Sequence, residues 1–393
     1  MFKAKIVIGC SYGDEGKGLA AAFVTSQAKG PCLNVLINGG AQRGHTVDLP
    51  DGRRHVFHHF GSGTLNGADS CADEDFIVNP LLFCQEFEEL QAAFGLAPML
   101  FVSEKCRVTT PWDMMLGQMI EENRGKARHG SCGCGLQETR LRYLHADWAL
   151  TYGQLLTMTR QDYQQYCQRI KQEYLPSRLA EMNMTVPPHW LPVLNNPDID
   201  RATWTDLQFM LDNTRSYSCW AELADRYPEL VFEAGQGLAL DENNLQDFPH
   251  LTPSSTTSLT SAKRIAALAR RRETEIIYVT RSYLTRHGAG PFPTECPKAE
   301  INPDMFDRTN IPNPHQETLR YGRFDRSAVL KRVQADRACT QQILPGVKTA
   351  LLVTHLNETN GGLTDGLPLE KLYAGFDRAL YSYAPWEVRE QPR

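Results

Sequence analysis

Short apolar runs alternate with longer stretches of helical spacing along most of the chain. The short runs have the length and β-branched content of buried strands, and the longer stretches place apolar residues on one face of a helix. We predict strands at 5–8, 34–37, 76–78, 100–103, 231–233, 275–280 and 350–354. We predict helices at 18–27, 81–94, 113–128, 162–182, 204–214, 258–272 and 326–339. The alternation predicts an α/β fold with a large, mostly parallel sheet flanked by helices on both faces.

The domain organisation predicted from this pattern is simple. No internal repeat or low-complexity linker divides the chain, and the proline-rich segments at 187–192 and 301–314 are interpreted as ordered surface loops. We therefore predict a single domain over residues 1–393, with helical insertions around 110–225. Ligands of such folds bind at the carboxyl ends of the strands, which is where the glycine-rich segments of this chain fall.

Net charge and cysteine content limit the kinds of binding partner and the cellular compartment that we expect. Lys+Arg 41 against Asp+Glu 46 gives a net charge of −5, so no overall positive field attracts nucleic acid or an anionic membrane. No apolar run is long enough to span a bilayer, and the first one is too short for a secretory signal. The eleven cysteines include no C-x-x-C pair, which favours reduced thiols. We predict a cytoplasmic protein that binds phosphate locally and has no nucleic-acid or membrane partner.

A glycine-rich loop at residues 9–18 follows the first predicted strand and precedes the first predicted helix. Glycines allow successive backbone N–H groups to converge on a phosphate, the helix N-terminus adds a positive dipole end, and Lys17 supplies a point charge. A Walker A loop requires Gly and then Ser or Thr at two positions where this chain has Ser11 and Gly18. The loop therefore predicts a phosphate site that differs from an ordinary P-loop.

Two carboxylates, Asp14 and Glu15, stand inside this predicted anion site. A carboxylate repels a triphosphate, so its presence makes sense if it binds Mg²⁺ or removes a proton from a substrate beside the phosphates. The alternative is a glycine-rich turn in which Asp14 only caps the helix.

Four segments resemble, in order, the motifs of the adenylosuccinate synthetase family. They lie at residues 12–18, 38–47, 232–241 and 285–295. The resemblance implies the P-loop NTPase-like fold of that family and a ligase that phosphorylates a purine 6-oxygen and then replaces it with an amine. It also implies Mg²⁺ as cofactor and a homodimer. The implied substrates are a purine nucleoside monophosphate, GTP or ATP, and aspartate or another amino acid.

The resemblance assigns catalytic roles to three residues. Asp14 matches the base that removes the purine N1 proton, His45 the histidine beside the transferring phosphates, and Gln236 the residue that holds the 6-position. Mg²⁺ is expected on Asp14 and the carbonyl of Gly44. The expected contacts of the donor phosphates are Gly13, Glu15, Gly16, Lys17, Gly18 and Thr46.

The same comparison assigns the purine monophosphate site. Its expected contacts are Gln42, Arg43, Ser131, Cys132, Gln236 and Thr252. The loop at 130–135 matches a phosphate-contacting loop, and either Arg140 or Arg142 is expected to reach across the dimer. The cluster of His55, His58 and His59 is interpreted as structural, with a zinc site as the weaker alternative.

Departures from the family pattern leave the substrates open. In the amino-substrate loop at 313–325, Arg320 and Arg323 are expected anchors, but Glu317 would repel a dicarboxylate. At the donor base, His355 and Asn357 are expected contacts, and an amide cannot accept two hydrogen bonds from guanine as a carboxylate does. No counterpart of the family's C-terminal guanine-binding segment is expected, which also favours ATP. The alternatives are a paralogue that uses ATP and another amine in a modified-nucleotide or natural-product pathway, and a non-catalytic nucleotide sensor.

Overall fold

Strands and helices alternate throughout the computed structural model, which describes residues 2–310 and 318–391. The strands of the described residues are β1 (Phe2–Gly9), β2 (Cys32–Leu36), β3 (His45–Asp48), β4 (Arg54–Phe57), β5 (Asp69–Ala72), β6 (Ile77–Val78), β7 (Leu100–Ser103), β8 (Arg107–Val108), β9 (Arg215–Tyr217), β10 (Glu229–Gly237), β11 (Arg272–Arg281), β12 (Leu284–Arg286), β13 (Arg320–Gly322), β14 (Lys348–Thr354), β15 (Arg378–Ala384) and β16 (Glu387–Glu390).

The α-helices are distributed between these strands and cluster most densely in the middle of the chain. They are α1 (Lys17–Ser26), α2 (Pro80–Phe94), α3 (Pro111–Arg124), α4 (Leu136–Tyr143), α5 (Tyr152–Leu155), α6 (Arg160–Arg169), α7 (Leu175–Ala180), α8 (Leu191–Leu194), α9 (Pro197–Asp212), α10 (Trp220–Ala224), α11 (Leu259–Ala266), α12 (Lys298–Ile301), α13 (Arg326–Ile343) and α14 (Leu369–Tyr373). The predicted α/β class is confirmed.

A ten-stranded sheet forms the centre of the molecule, in the order β16-β15-β14-β11-β1-β10-β2-β5-β7-β9. Every neighbouring pair in it is parallel except β15 and β16. In β1 the consecutive residues Ile6, Val7 and Ile8 are all buried, because helices cover both faces of the sheet. This double burial explains why the central strands read as continuous apolar runs.

The helical middle of the chain has an apolar core of its own. Trp112, Tyr163 and Leu207, from α3, α6 and α9, are buried in it together with residues of α2 and β7. The region coincides with the predicted insertions at 110–225, although β9 within it joins the edge of the sheet. The division into domains stays a prediction.

Two predicted helices differ from the observed ones. The stretch predicted at 162–182 is α6 and α7, joined by a π-helical turn at Ile170–Tyr174. The helix predicted at 258–272 is wrong at its end, because α11 stops at Ala266 and Arg272 already begins β11. None of the helices in the described residues has both the length and the apolar character needed to cross a bilayer.

The carboxyl ends of four adjacent parallel strands open on one edge of the sheet. β1 ends at Gly9, β10 at Gly237, β11 at Arg281 and β14 at Thr354. Parallel strands place the loops that follow them on the same side, so segments far apart in sequence meet here.

Candidate active site

A cleft of about 1700 Å³ lies at this edge of the sheet. Most of the residues predicted to bind substrates line it. These are Asp14, Glu15, Gly16, Lys17, Gly18, Gln42, Gly44, His45, Thr46, Ser131, Cys132, Gln236, Thr252, His355 and Asn357. The predicted residues Gly13, Arg43, Arg320 and Arg323 are not among the residues that line it.

The phosphate loop depends on glycine at three positions. Gly13 and Gly16 have φ values of +97° and +94°, a conformation that side chains rarely adopt. At Gly18, a Cβ atom would lie 2.5 Å from the carbonyl oxygen of Thr46. The first turn of α1 is therefore packed directly against the second motif, which brings the two predicted phosphate-binding segments together.

Glu15 and Lys17 form a buried ion pair within the loop. One Glu15 carboxylate oxygen accepts a hydrogen bond from the backbone N–H of Ser11 at 2.6 Å, and the other accepts one from Lys17 Nζ at 3.1 Å. The Glu15 carboxylate also fills the space beside Gly9 and Gly237, where a Cβ atom would overlap it. The side chain therefore braces the loop from inside.

Asp14 projects a carboxylate from the loop in a left-handed conformation, with φ 56°. Its Oδ2 accepts a hydrogen bond from His287 Nε2 at 2.9 Å, and its carbonyl accepts one from Arg281. Burial opposes ionisation, but the hydrogen bond from His287 and the charges of His287, Arg281 and Lys17 hold the pKa of Asp14 well below its usual range. The result is a carboxylate that is ionised beside the predicted phosphates.

His45 is held by a buried carboxylate. Its Nδ1 lies 2.5 Å from Oε1 of Glu233, and its Nε2 lies 3.3 Å from the carbonyl oxygen of Gly235. Burial, reinforced by the positive charge of Arg43, lowers the pKa of His45 to about 4. In the free protein the imidazole is therefore neutral, with its proton on Nδ1 toward Glu233.

Arg43 belongs to this buried cluster. Its side chain is 1% exposed, and its guanidinium donates to Glu233 Oε1 at 2.8 Å. Glu233 also accepts hydrogen bonds from the backbone and side chain of Ser62. The structure thus places Arg43 behind His45 and away from the purine contact that the sequence predicted for it.

The predicted magnesium ligands have suitable chemistry. Asp14 and Gly44 both line the cleft and offer a carboxylate and a carbonyl oxygen. Within residues 2–310 and 318–391, no group of three or more His, Cys, Asp or Glu side chains is placed to hold a metal ion. Mg²⁺ fits such a site because it keeps several waters and takes one or two protein oxygens together with substrate phosphates.

The predicted monophosphate end is built from two loops and a strand end. Ser131 and Cys132 lie in a loop anchored by Glu121, whose carboxylate accepts hydrogen bonds from the backbone N–H groups of His129 and Gly130, each at 3.0 Å. Thr252 is fixed by a backbone hydrogen bond to Leu240 at 2.9 Å.

Gln236 and Gln42 present amide groups toward this end. The Gln236 Oε1 lies where it would be 2.9 Å from a Cβ atom on Gly13, so its side chain crosses the phosphate loop. The side-chain oxygen and nitrogen of Gln42 are buried and have no hydrogen-bond partner among the described residues. Both residues line the cleft.

The two arginines considered for a contact across a dimer differ in setting. Arg142 is buried and makes a bidentate pair with Asp113, at 2.7 and 2.8 Å, inside the helical region. Arg140 lines the cleft and donates to Glu242 at 2.6 Å. Arg142 is therefore structural, and Arg140 remains the candidate.

The predicted amino-substrate anchors lie outside the cleft lining. Arg320 pairs with Glu295 and donates to the carbonyl oxygens of Gly288 and Gly290 at 3.1 and 2.9 Å, so it braces the turn of the fourth motif. Arg323 pairs with Glu300 at the surface and is 58% exposed. Glu317 and the rest of 313–317 lie outside the described residues.

The sequence motifs did not assign a role to three residues of the cleft. Arg281 ends β11 beside the phosphate loop, a position that the predicted strand at 275–280 signals. His287 lies in the fourth motif, but the resemblance assigned it no role. Trp386 follows β15 and is 50% exposed in the cleft, and no pattern in the sequence pointed to it.

The predicted donor-base end holds His355, Asn357 and this tryptophan. His355 has φ 58° and its Nδ1 lies 2.9 Å from Thr354 Oγ1, which turns the chain after β14. Asn357 is exposed at the cleft. A C-terminal segment does reach this end, because Ser382, Ala384, Pro385 and Trp386 also line the cleft.

Comparisons with known proteins agree with this geometry. The adenylosuccinate synthetase family model matches residues 6–335. An adenylosuccinate synthetase from Photobacterium profundum is 30% identical over 305 residues, which is 75% of this chain and 65% of the relative. The matched segment is thus slightly less than two thirds of that relative's length.

Two solved structures share the fold. A fully ligated adenylosuccinate synthetase from Plasmodium falciparum superposes with a TM-score of 0.63 at 18% identity, covering 90% of this chain and 77% of the other. The succinoaminodeoxyadenylate synthetase of cyanophage S-2L superposes with a TM-score of 0.66 at 15% identity, covering 100% of this chain and 96% of the other. Taken with the family model, which covers most of the chain, these findings show that the chain belongs to the adenylosuccinate synthetase family.

Proposed function

We propose that this protein is a C–N bond-forming ligase that uses a nucleoside triphosphate to activate the 6-oxygen of a purine nucleoside monophosphate for replacement by an amine. The observation that carries the proposal is the ionised Asp14 carboxylate within the phosphate loop, in one cleft with Lys17 and Gln236. A nucleotide sensor has no need of a base at that point, and a simple kinase has no purine N1 proton to remove. Membership of the family supports the same reaction class.

The chemistry explains why a base is needed there. A purine 6-oxo group cannot leave as oxide, so it must first become a phosphate ester. In our proposal Asp14 takes the N1 proton, the electron pair shifts to O6, and O6 attacks the γ-phosphorus while the nucleoside diphosphate leaves. The amine then attacks C6, phosphate departs with the former 6-oxygen, and the amine loses a proton.

The remaining site residues are suited to neutralising the negative charge of the phosphates during this transfer. Phosphoryl transfer requires positioning and neutralisation more than covalent catalysis. Lys17 and the N-terminus of α1 supply positive charge, and bound phosphates would favour a second proton on His45, which could then donate from Nε2. Mg²⁺, when bound to Asp14 and Gly44, would supply further neutralisation of the donor phosphates.

The residues at the two ends of the cleft support particular substrates. We propose a purine nucleoside monophosphate such as IMP near Gln42, Gln236 and Thr252. GTP or ATP is the donor, and the neutral amide of Asn357 favours adenine. The cyanophage relative, which was solved with dATP as an energy donor, supports that preference.

The amine is aspartate or another amino acid. Arg320 and Arg323 are engaged elsewhere, so a carboxylate of the amine would be met by cations that do line the cleft. Arg54 and Arg308 both line the cleft. Arg54 donates a hydrogen bond to Thr309, the residue that follows Arg308. This arrangement is compatible with an acidic amine, and with a divergent paralogue that transfers a different one.

We also propose that the protein acts as a cytoplasmic homodimer, as the family resemblance implies. The rim of the cleft near Arg140 carries three exposed apolar side chains, Leu144, Leu245 and Phe248. An exposed apolar rim beside the cleft suits a surface that a second copy covers.

The test is a reconstituted reaction. Purified protein is incubated with IMP, aspartate, Mg²⁺ and either GTP or ATP, and phosphate release is measured together with the purine products by mass spectrometry. We expect phosphate release that depends on all components and a product joined at C6. Other purine monophosphates and amino acids are then substituted one at a time. Absence of amine incorporation with every combination would contradict the proposal.

A further inference from the structure

His287 is the side chain that directly contacts the Asp14 carboxylate. Its Nε2 lies 2.9 Å from Asp14 Oδ2 and 2.8 Å from Oδ1 of Asn310. The orientation of the Asn310 amide is fixed, because its nitrogen donates to Asp307 at 2.7 Å. Both neighbours of Nε2 are therefore acceptors, and Nε2 must be the donor.

The other ring nitrogen defines the tautomer. His287 Nδ1 is buried and has no hydrogen-bond partner among the described residues. The proton of a neutral imidazole is stabilised where acceptors surround it, and a protonated ring carries a proton on both nitrogens. In either charge state the geometry thus places a proton on Nε2, between Asp14 and Asn310.

The backbone that carries His287 is rigidly supported. Arg320 donates to the carbonyl oxygens of Gly288 and Gly290, and Gly130 packs against Gly288 so closely that a Cβ atom on Gly130 would lie 2.9 Å from the Gly288 Cα. A histidine on such a braced turn keeps its ring in one place. Asp14 has a left-handed backbone conformation on the phosphate loop, and His287 contacts its carboxylate from this braced turn.

We propose that His287 is a positioning residue for the proposed base: its Nε2–H occupies one of the roughly four lone-pair sites of the Asp14 carboxylate, on Oδ2, and leaves sites for the purine N–H on Oδ1 and for Mg²⁺. The inference rests on the proposed function, because it assigns Asp14 its task in the reaction. One oxygen of the carboxylate is anchored and the other is presented to the cleft. His287 does not itself touch the reacting atoms in this account.

Two variants separate positioning from packing. His287→Gln keeps an N–H donor at similar reach, whereas His287→Leu keeps volume and removes the donor. We expect His287→Leu to lower kcat on the order of 10- to 100-fold, as misplacement of a reacting group does, while KM for the donor nucleotide changes little. We expect His287→Gln to recover most of the lost kcat. His189→Leu, at an exposed surface position, is the matched control and should behave as wild type.

The outcomes are decisive in each direction. Wild-type kcat in His287→Leu, equal loss in both variants, or a loss confined to KM would overturn the proposal. A readout without turnover distinguishes this failure from failure of the proposed function: nitrogen-15 NMR of the histidine rings in the free protein. A proton on Nε2 of His287, with ring signals that shift in Asp14→Asn, supports the contact even if no purine is aminated. An unprotonated Nε2 would overturn it.

Discussion

The two carboxylates of the phosphate loop have different electrostatic roles. Glu15 holds Lys17 in position inside the loop, at 3.1 Å, while Asp14 carries its negative charge outward into the cleft. A loop that only bound phosphate would gain nothing from the second carboxylate. The residue scale is therefore where the proposed base can be tested most simply.

Asp14→Asn should abolish amine transfer while the protein still binds nucleotide. The amide has the same shape but cannot accept the N1 proton, so kcat should fall by roughly 10²- to 10⁴-fold, the usual contribution of a general base. Nucleotide affinity, measured by calorimetry without the purine, should stay within a few fold. Lys17→Met is the contrasting variant and should lose affinity for the triphosphate. An Asp14→Asn enzyme with the wild-type rate would refute the assigned role.

Motif residues were predictable where their backbone position decides their role. Asp14 and Lys17 follow the end of β1 and Gln236 lies at the end of β10, and the edge of a parallel sheet gathers such positions. Arg43 was not predictable in this way, because its partner Glu233 is 190 residues away in sequence. A side chain that turns inward to a distant partner leaves no local signal.

At the scale of elements, α2 holds the segment that follows β4. Glu86 of α2 is buried and accepts hydrogen bonds from the backbone N–H groups of His58, His59 and Phe60. The histidine cluster that the sequence shows at 55–59 is therefore organised around a carboxylate, in agreement with its structural interpretation. His55 and His59 each lie 3.6 Å from the same carboxylate.

Glu86→Gln should destabilise the protein by roughly 1–3 kcal/mol, because backbone donors would lose a charged acceptor. Burial opposes ionisation of Glu86, but the neighbouring imidazoles of His55 and His59 hold its pKa well below the usual range. A lowered folded-state pKa gives stability that is present above the unfolded pKa and is lost as pH falls. Urea unfolding at several pH values should show this acid loss in wild type and a flatter profile in Glu86→Gln. Identical profiles would contradict the assignment.

The C-terminal hairpin of β15 and β16 offers an optical test of the donor site. Trp386 is half exposed in the cleft, and a nucleobase bound beside Asn357 should alter its environment. We expect ATP or GTP to change the intrinsic fluorescence, and Trp386→Phe to remove most of that change while binding persists. If nucleotide changes the fluorescence of Trp386→Phe as much as that of the wild type, the base binds elsewhere.

Elements with continuous apolar runs were predicted well, and polar or very short ones were missed. The strands at 231–233 and 275–280 correspond to the buried centres of β10 and β11. β5 pairs within the same sheet but begins with Asp69 and spans four residues, so its pairing depends on its neighbours β2 and β7. Local pattern cannot predict a strand whose stability comes mainly from its partners.

On the scale of the whole molecule, the strand order brings four motifs that are separate in sequence to the same cleft. The strands that lead into the motifs, β11, β1, β10 and β2, are adjacent in the sheet although two lie near the start of the chain and two follow residue 228. The α/β class was predictable from alternation, but this order was not, because it depends on long-range pairing. The proposed reaction needs the convergence: the donor phosphates at α1, the purine beside Gln236 and the base Asp14 must meet at one point.

The fate of the purine 6-oxygen tests the central claim most directly. The protein is supplied with a purine monophosphate labelled with oxygen-18 at position 6, the amine, the donor nucleotide and Mg²⁺, and the released phosphate is analysed by mass spectrometry. The account predicts that the label appears in inorganic phosphate in step with formation of the aminated purine. Aminated product accompanied by unlabelled phosphate would contradict activation through a 6-phosphoryl ester.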